Sequence, residues 1–321
     1  MSKDYNFYFD ETYHDKAITL SERKLNILAD NILDDYIGFF WGAREDKIPE
    51  TLELFLKVEI EFKKAFSMSA EKELKSRCFS NNQFKYGVKS FSNVLLNFYT
   101  KLFDVCIDRK LIFQIEIISK MEILVRRLFP DGEWFRRNCF IYDVFVYSFS
   151  KMLINYNHQE LIDVLCRLDG ATNEECIGVE SKDNIGVRIS DWLVGFIGKM
   201  IWGLVHDPQV IEEKIVDIEA IKTPDFSRRR LINSKWFDLN EKQFDCYKKA
   251  AKCFITQQPH KWTILHCTYA DHYIQFTTLL RYINQFTFDQ YIQIGPETHR
   301  DKYTEFCLIE MQAYYKTIEK I

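Results

Sequence analysis

Residues 180–195 read ESKDNIGVRISDWLVG and predict an apolar helix that carries one carboxylate, Asp191. Apolar residues recur at helical spacing on both sides of Asp191, and the helical pattern runs from residue 184 to residue 204. Burying a lone carboxylate in such a helix costs roughly several kcal/mol unless a cation or a metal ion compensates its charge. Asp191 is therefore predicted either to pair with Arg188 or Lys199 or to bind a metal ion.

An aromatic strand near the start of the chain also ends in acids. Residues 5–9 read YNFYF, and Asp10 and Glu11 follow directly. Aromatic residues with polar flanks are typical of a strand. These two acids, together with Asp191 on a late helix, predict a shared metal site at the edge of an apolar core. The simpler interpretation is that Asp10 and Glu11 only terminate the strand.

The composition is that of a packed protein. The 321 residues are 47% hydrophobic and 16% aromatic, which suffices for a large core. A net charge of -4 argues against a protein that coats nucleic acid through bulk positive charge. Nine cysteines form no Cys-x-x-Cys pair, so a zinc ribbon is not predicted and the cytoplasm is the expected compartment. The apolar run at residues 192–205 is interrupted by glycines and is too short to span a membrane.

The periodicity of the chain predicts an α/β protein with two parts. Strands are predicted at residues 5–9, 36–41 and 111–118, and helices at residues 89–104, 139–154 and 184–204. Residues 49–65 suit either a helix or a strand, although their apolar spacing favours a helix. After residue 240 the pattern is mostly helical. We therefore expect one domain over residues 1–205 and a helical accessory region over residues 206–321.

Three short motifs follow one another in an order that is typical of one bacterial family. The first is Phe9-Asp10-Glu11 at the end of the strand, and the second is Glu73-Leu74-Lys75. The third is the run from Ser181 to Gly195, in which a glycine follows Asp191 by four residues. Over roughly residues 5–205, this set resembles the family known as domain of unknown function 3800.

The resemblance implies a fold and a metal site. The implied fold is a ribonuclease H-like mixed sheet flanked by helices, in which the first strand brings its Asp to the centre of the sheet. The implied metal ligands are Asp10, Glu73 and Asp191. Family members also carry an acidic residue on a middle strand, and Glu116 is the candidate for it here. Activity on nucleic acid is implied as well, and a role in mobile elements or antiphage defence is consistent with it.

Clustered carboxylates suit the hydrolysis of a phosphodiester. Two Mg²⁺ or Mn²⁺ ions roughly 3.5–4 Å apart activate water and neutralise the leaving oxygen, so no protein nucleophile is needed. We assign Asp10 to bridge both ions, with Asp191 and Glu73 holding one each. Glu11 is predicted to be a secondary ligand or to orient water, and Lys75 to neutralise a phosphate or the developing charge.

Each of these residues also has an ordinary structural interpretation. Glu73 and Lys75 lie in a charged run of the kind that is usually solvated, and Glu116 fits the exposed face of a strand. Asp191 fits a core carboxylate that pairs with a neighbouring cation. If those interpretations hold, the chain is a non-catalytic module that binds nucleic acid or a protein.

The sequence also predicts partners outside the acidic site. Nucleic acid is the expected ligand, and the helical region after residue 205 is expected to contact a protein partner. The run Arg228-Arg229-Arg230, followed by Lys235-Trp236, combines cations with an aromatic ring and suits contacts with phosphates and stacking on bases. The alternative is that this run is merely solvated.

Overall fold

The computed structural model describes residues 5–12, 20–21, 24–25, 35–119, 181–207, 232–255, 261–266 and 271–318. This part of the chain is mixed α/β, as predicted. Its strands are β1 Tyr5–Thr12, β2 Leu20–Ser21, β3 Lys24–Leu25, β4 Asp35–Arg44, β5 Lys85–Val88, β6 Ile112–Ser119 and β7 Lys261–His266. Its helices are α1 Ile48–Ala65, α2 Asn93–Asp108, α3 Ile185–Val205, α4 Glu241–Phe254, α5 Asp271–Asn284, α6 Phe288–Ile292 and α7 Pro296–Ile318. The helix predicted at residues 139–154 lies outside the described residues.

A four-stranded sheet organises the first half of the fold. Its order is β1-β4-β6-β7, with the first three strands antiparallel and β7 parallel to β6. Strand β4 is apolar on both faces and is buried from Ile37 to Ala43, which explains its inner position. Among the described strands β1 pairs only with β4, so the central position that was predicted for the first strand is not seen there.

Two helices follow the spacing of their apolar residues. The segment predicted at residues 49–65 lies in α1, which buries Ile48, Phe55, Val58 and Phe62 on one face, so the helical interpretation of this segment is confirmed. Helix α2 begins four residues later than predicted. The preceding residues form β5 and a turn, in which Gly87 adopts a φ of 59° that glycine accommodates without strain.

Helix α3 packs on β1 and β4 through a glycine. The Nε1 of Trp41 donates a hydrogen bond to the carbonyl oxygen of Gly186 at 2.8 Å. The ring of Tyr8 is stacked on Trp41, with 4.7 Å between centroids, and lies where a Cβ on Gly186 would be. A side chain at position 186 would therefore separate the first turn of α3 from the sheet.

The chain forms two compact units that interleave along the sequence. One contains residues 1–78, 101–198 and 256–269, and the other contains residues 79–100, 199–255 and 270–321. The predicted division into a domain over residues 1–205 and a helical accessory region over residues 206–321 stays a prediction. No helix in the described ranges is both long and apolar enough to cross a membrane.

The second unit has a core of aromatic residues. His299 is fully buried there, and its Nδ1 lies 2.8 Å from the hydroxyl of Tyr282 while its ring stacks on Tyr291.

The region after residue 240 is mostly helical, as predicted, but it also supplies strand β7. Trp236 is fully buried and its Nε1 donates to Asp207 at 2.7 Å, so the predicted stacking of Trp236 on bases is wrong.

We predict that Gly186→Ala destabilises the protein by about 1–3 kcal/mol, because the new Cβ would lie 2.2 Å from the Tyr8 ring. Without that contact, Ala would stabilise a helix interior relative to Gly by about 1 kcal/mol. Urea unfolding measures the difference, and Gly295→Ala is the control because no atom lies within 4 Å of its added Cβ. A Gly186→Ala variant as stable as its parent would contradict the packing described.

Candidate active site

Asp10 lies near the end of β1, on the face of the strand that α3 covers. Side chains alternate along a strand, so Asp10 shares a face with Tyr8, the residue that packs on Gly186. The carboxylate of Asp10 is partly buried, and its Oδ1 accepts a hydrogen bond from the backbone N–H of Glu11 at 2.9 Å. The aromatic strand thus delivers one acid to the α3 side of the sheet.

Asp191 lies on the second turn of α3. The helix begins after Asn184, whose Oδ1 accepts hydrogen bonds from the N–H groups of Gly186 and Val187 at 2.9 and 3.4 Å. This is the usual capping of a helix N-terminus by an asparagine side chain. The cap and the contact of Gly186 with Tyr8 together fix where α3 starts and therefore where Asp191 lies.

Two serines bind the acids of the site. Both oxygens of Asp191 accept from Ser76, Oδ2 from its backbone N–H and Oδ1 from its hydroxyl, each at 2.6 Å. Ser181, just before α3, donates from its hydroxyl to Oε1 of Glu73 at 2.6 Å. The segment 73–76 is therefore held at both ends by residues of the late motif.

A tryptophan and a glycine complete this attachment. The Nε1 of Trp192 donates to the carbonyl oxygen of Leu74 at 2.8 Å, and Leu74 is fully buried. Gly195, one helical turn beyond Asp191, faces Ser76, and a Cβ there would lie 2.2 Å from the Cβ of Ser76. The spacing of Asp191 and Gly195 in the motif thus has a structural reason: the glycine leaves room for the serine that the aspartate binds.

The predicted pairing of Asp191 with a neighbouring cation is wrong. Arg188 instead bonds Oε2 of Glu59 at 3.0 Å and donates to the carbonyl oxygens of Ser181 and Lys182. Glu59 is 1% exposed, which identifies it as the buried counter-ion of Arg188. Lys199 donates to Asn81 at 3.2 Å. The carboxylate of Asp191 therefore accepts its hydrogen bonds from Ser76 rather than from either of these cations.

Burial and neighbouring acids raise the pKa of both Asp10 and Asp191. Burial, followed by the nearby charge of Asp191, raises the pKa of Asp10 to about 8. Burial also raises the pKa of Asp191, while the two hydrogen bonds from Ser76 and the charge of Lys75 oppose that rise. The charged form of Asp10 is therefore disfavoured by burial and by Asp191, whereas the bonds from Ser76 stabilise the charged form of Asp191.

Glu73 and Lys75 lie beside this pair. Lys75 forms an ion pair with Glu73, with 3.5 Å between Nζ and Oε2. The charge of Lys75 lowers the pKa of both Asp10 and Asp191, and the charge of Glu73 raises that of Asp191. Four of the predicted site residues thus lie within electrostatic reach of one another, with one cation among three acids.

Glu11 and Glu116, the other two predicted site residues, lie one register position away from Asp10 in the sheet. Glu11 pairs with Gly38 and Gly38 pairs with Glu116, whereas Asp10 pairs with Phe39. The alternation of β1 directs Glu11 away from the face of Asp10, although its charge still raises the pKa of Asp10. The roles of Glu11 as a secondary ligand and of Glu116 as a metal ligand stay predictions, and the sheet register does not favour them.

The donor chemistry of the site suits a hard divalent cation. Asp10 and Asp191 offer carboxylate oxygens, which Mg²⁺ and Mn²⁺ prefer, and their mutual repulsion is what a cation would relieve. Three His, Cys, Asp or Glu side chains arranged to hold one ion are not found among the described residues. The carboxylates that could contribute to such a site are Asp10 and Asp191, with Glu73 beside Asp191.

Ser76 is the functional residue that sequence reasoning missed. It stands directly after the Glu73-Leu74-Lys75 motif, but a serine after a charged run has no distinctive pattern. Only the spacing of Asp191 and Gly195 hints that a small polar group must reach α3. The attachment of residues 73–76 becomes visible once the helix is placed against that segment.

No protein-family model, characterised protein or solved structure matches the chain. The resemblance to the family of domain of unknown function 3800 therefore stays a prediction that rests on the three motifs.

We predict that Ser76→Ala costs roughly 1.5–3 kcal/mol of stability, because it removes a hydrogen bond to a partly buried charged group. The exposed Ser69, in the same connection between α1 and the site, provides the matched control. Urea unfolding of Ser76→Ala and Ser69→Ala measures both. Equal, small losses would show that the Ser76 hydroxyl does not stabilise Asp191.

We also predict that Asp10→Asn stabilises the protein more at pH 8 than at pH 5. The folded-state pKa of about 8 lies above the ordinary value of 3.8, so the folded protein binds the proton more tightly. The free energy of unfolding therefore falls as pH rises from about 4 to about 8, and Asn removes that dependence. Asp46→Asn, at a surface acid paired with Arg44, is the control. A gain equal at both pH values would contradict the assignment.

Proposed function

We propose that the chain is a divalent-metal-dependent nuclease, or a related phosphoryl-transfer enzyme, that acts on nucleic acid. The observation that carries the proposal is the meeting of Asp10, from the end of β1, with Asp191, from α3. These residues come from motifs about 180 positions apart in the sequence, and Glu73 and Lys75 join them. A ribonuclease H-like sheet is part of the same proposal, supported by the antiparallel strands β1, β4 and β6 and by the late helix that carries an acid.

The side chains of the site divide the work of phosphoryl transfer. Asp10 and Asp191 would hold the cation, which when bound supplies an activated water and charge neutralisation. Ser76 fixes both oxygens of Asp191 and so sets the direction of the remaining lone pairs. Lys75 is the cation available to a substrate phosphate, and its ion pair with Glu73 keeps it at the site.

A second candidate is a binding module without catalysis, and one observation favours it. Both oxygens of Asp191 accept hydrogen bonds from Ser76, so Asp191 has a structural role whether or not a metal binds. In that case, replacing Asp191 affects stability and leaves no activity to lose. The predicted protein partner of residues 206–321 is compatible with either candidate and stays a prediction.

The proposal predicts metal-dependent cleavage that Asp10→Asn abolishes. Purified protein is incubated with labelled single- and double-stranded DNA and RNA in Mg²⁺, in Mn²⁺ or in EDTA. Asp10→Asn is the decisive variant, because Asn resembles the protonated acid and is expected to keep the fold. Asp46→Asn, at a surface acid of the same unit, is the control and should cleave as the parent does.

Two results separate the candidates. Cleavage that requires metal and is lost in Asp10→Asn, in a variant at least as stable to heat as the parent, supports the enzyme. No cleavage by a folded parent with either metal favours the binding module, whereas cleavage that persists in Asp10→Asn contradicts the proposed site. Asp191→Asn is measured beside them, with its stability, so that its structural contribution is not taken for a catalytic one.

A further inference from the structure

The second unit presents an aromatic ring to two ammonium groups. Tyr86, on β5, is partly exposed, and the Nζ atoms of Lys85 and Lys235 lie 5.4 and 5.3 Å from its ring centroid. Both lysines are exposed, and the described residues provide no acid that forms an ion pair with either. Two like charges converge on one ring, an arrangement that an incoming anion would stabilise.

The surface around Tyr86 is cationic although the chain is acidic. Residues 79–90, 199–207 and 232–238 contain four lysines, one histidine and two aspartates, in a chain with a net charge of -4. Asp207 is buried against Trp236 and Asp238 pairs with Lys89, which leaves the charges of Lys85 and Lys235 at the ring of Tyr86. Local contacts join these segments within the second unit. Lys199 donates to Asn81, and Gly203 lies against the carbonyl oxygen of Phe84. The positive charges therefore belong to one region of the fold.

A second aromatic side chain lies in the same region. Trp202, on α3, is partly exposed and stacks on the exposed ring of His206, with 4.5 Å between centroids. The buried ring of Trp236 lies between Gly87 and Gly203, at 2.4 and 3.2 Å from where their Cβ atoms would be. Because Tyr86 and Trp202 are the chain neighbours of those glycines, their Cα atoms lie within about 18 Å of each other.

We propose that Tyr86 and Trp202, with Lys85, Lys235 and His206, form a binding surface for single-stranded nucleic acid. Aromatic rings that stack on bases, set among cations that contact phosphates, are the two elements of such surfaces. Unpaired bases are required because a duplex does not expose base faces to side chains. The choice of nucleic acid over other polyanions rests on the function proposed above, whereas the surface itself is independent of the carboxylates.

The test measures binding rather than cleavage. Fluorescence anisotropy of labelled 12-nucleotide dT and U strands, and of a 12-base-pair duplex, is recorded with the full chain in EDTA. Without metal the proposed nuclease reaction cannot occur, so a failure of that function and a failure of this surface are separate results. The dT and U strands show whether DNA or RNA binds better.

We expect the parent to bind the single strands more tightly than the duplex. Tyr86→Leu and Trp202→Leu should each weaken binding by about 5- to 100-fold, the usual effect of losing one base–aromatic stack. Lys85→Ala and Lys235→Ala change only exposed side chains, so they test the surface without risk to the fold. Each should reduce the slope of log affinity against log salt by about 0.7.

Lys57→Ala is the matched control. Lys57 is an exposed lysine on α1 in the first unit, where it pairs with Glu53, and its loss should leave affinity unchanged. The proposal is overturned if the parent binds no single strand. It is also overturned if the Lys85 and Lys235 variants bind as the parent does, or if Lys57→Ala weakens binding as much as they do.

Discussion

The attachment of residues 73–76 to helix α3 is the interaction on which the candidate site depends. Ser76 binds both oxygens of Asp191, Trp192 binds the carbonyl oxygen of Leu74, and Ser181 binds Glu73. Each bond joins residues more than 100 positions apart, so forming it carries the entropic cost of bringing two distant parts of the chain together. Hydrogen bonds to charged groups contribute more than neutral ones, which concentrates the stabilising energy at the acids themselves.

Elements with strong local periodicity could be predicted from the sequence. The aromatic strand before Asp10, the ambiguous segment at residues 49–65 and the apolar helix around Asp191 all appear where their spacing indicated. Strand β7 was missed inside a region expected to be helical, because a six-residue strand is stabilised by its distant partner β6 rather than by its own pattern. The position of β1 in the sheet likewise depends on long-range pairing.

The chemistry of the site was predictable in type but not in partners. An acid inside an apolar helix predicts that a cation, a metal ion or hydrogen-bond donors compensate its charge. The sequence does not identify which group does so. Arg188 was the nearest cation in sequence, but it pairs with the buried Glu59 on α1, because a buried glutamate without a cation would cost roughly several kcal/mol. The actual partner of Asp191, Ser76, carries no charge and leaves no signal at the level of residue type.

The structural and the chemical roles of Asp191 are compatible. An ionised carboxylate has about four lone-pair sites, and Ser76 occupies two of them. The same bonds orient the remaining lone-pair sites. Ser76, which attaches residues 73–76 to α3, therefore also positions the carboxylate of Asp191 to bind a cation. Asp10 differs, because it accepts one hydrogen bond from the adjacent backbone N–H and its raised pKa reflects burial next to Asp191. Loss of Asp191 therefore mixes folding with function, whereas a change at Asp10 reports on the charge of the site with the anchor left intact.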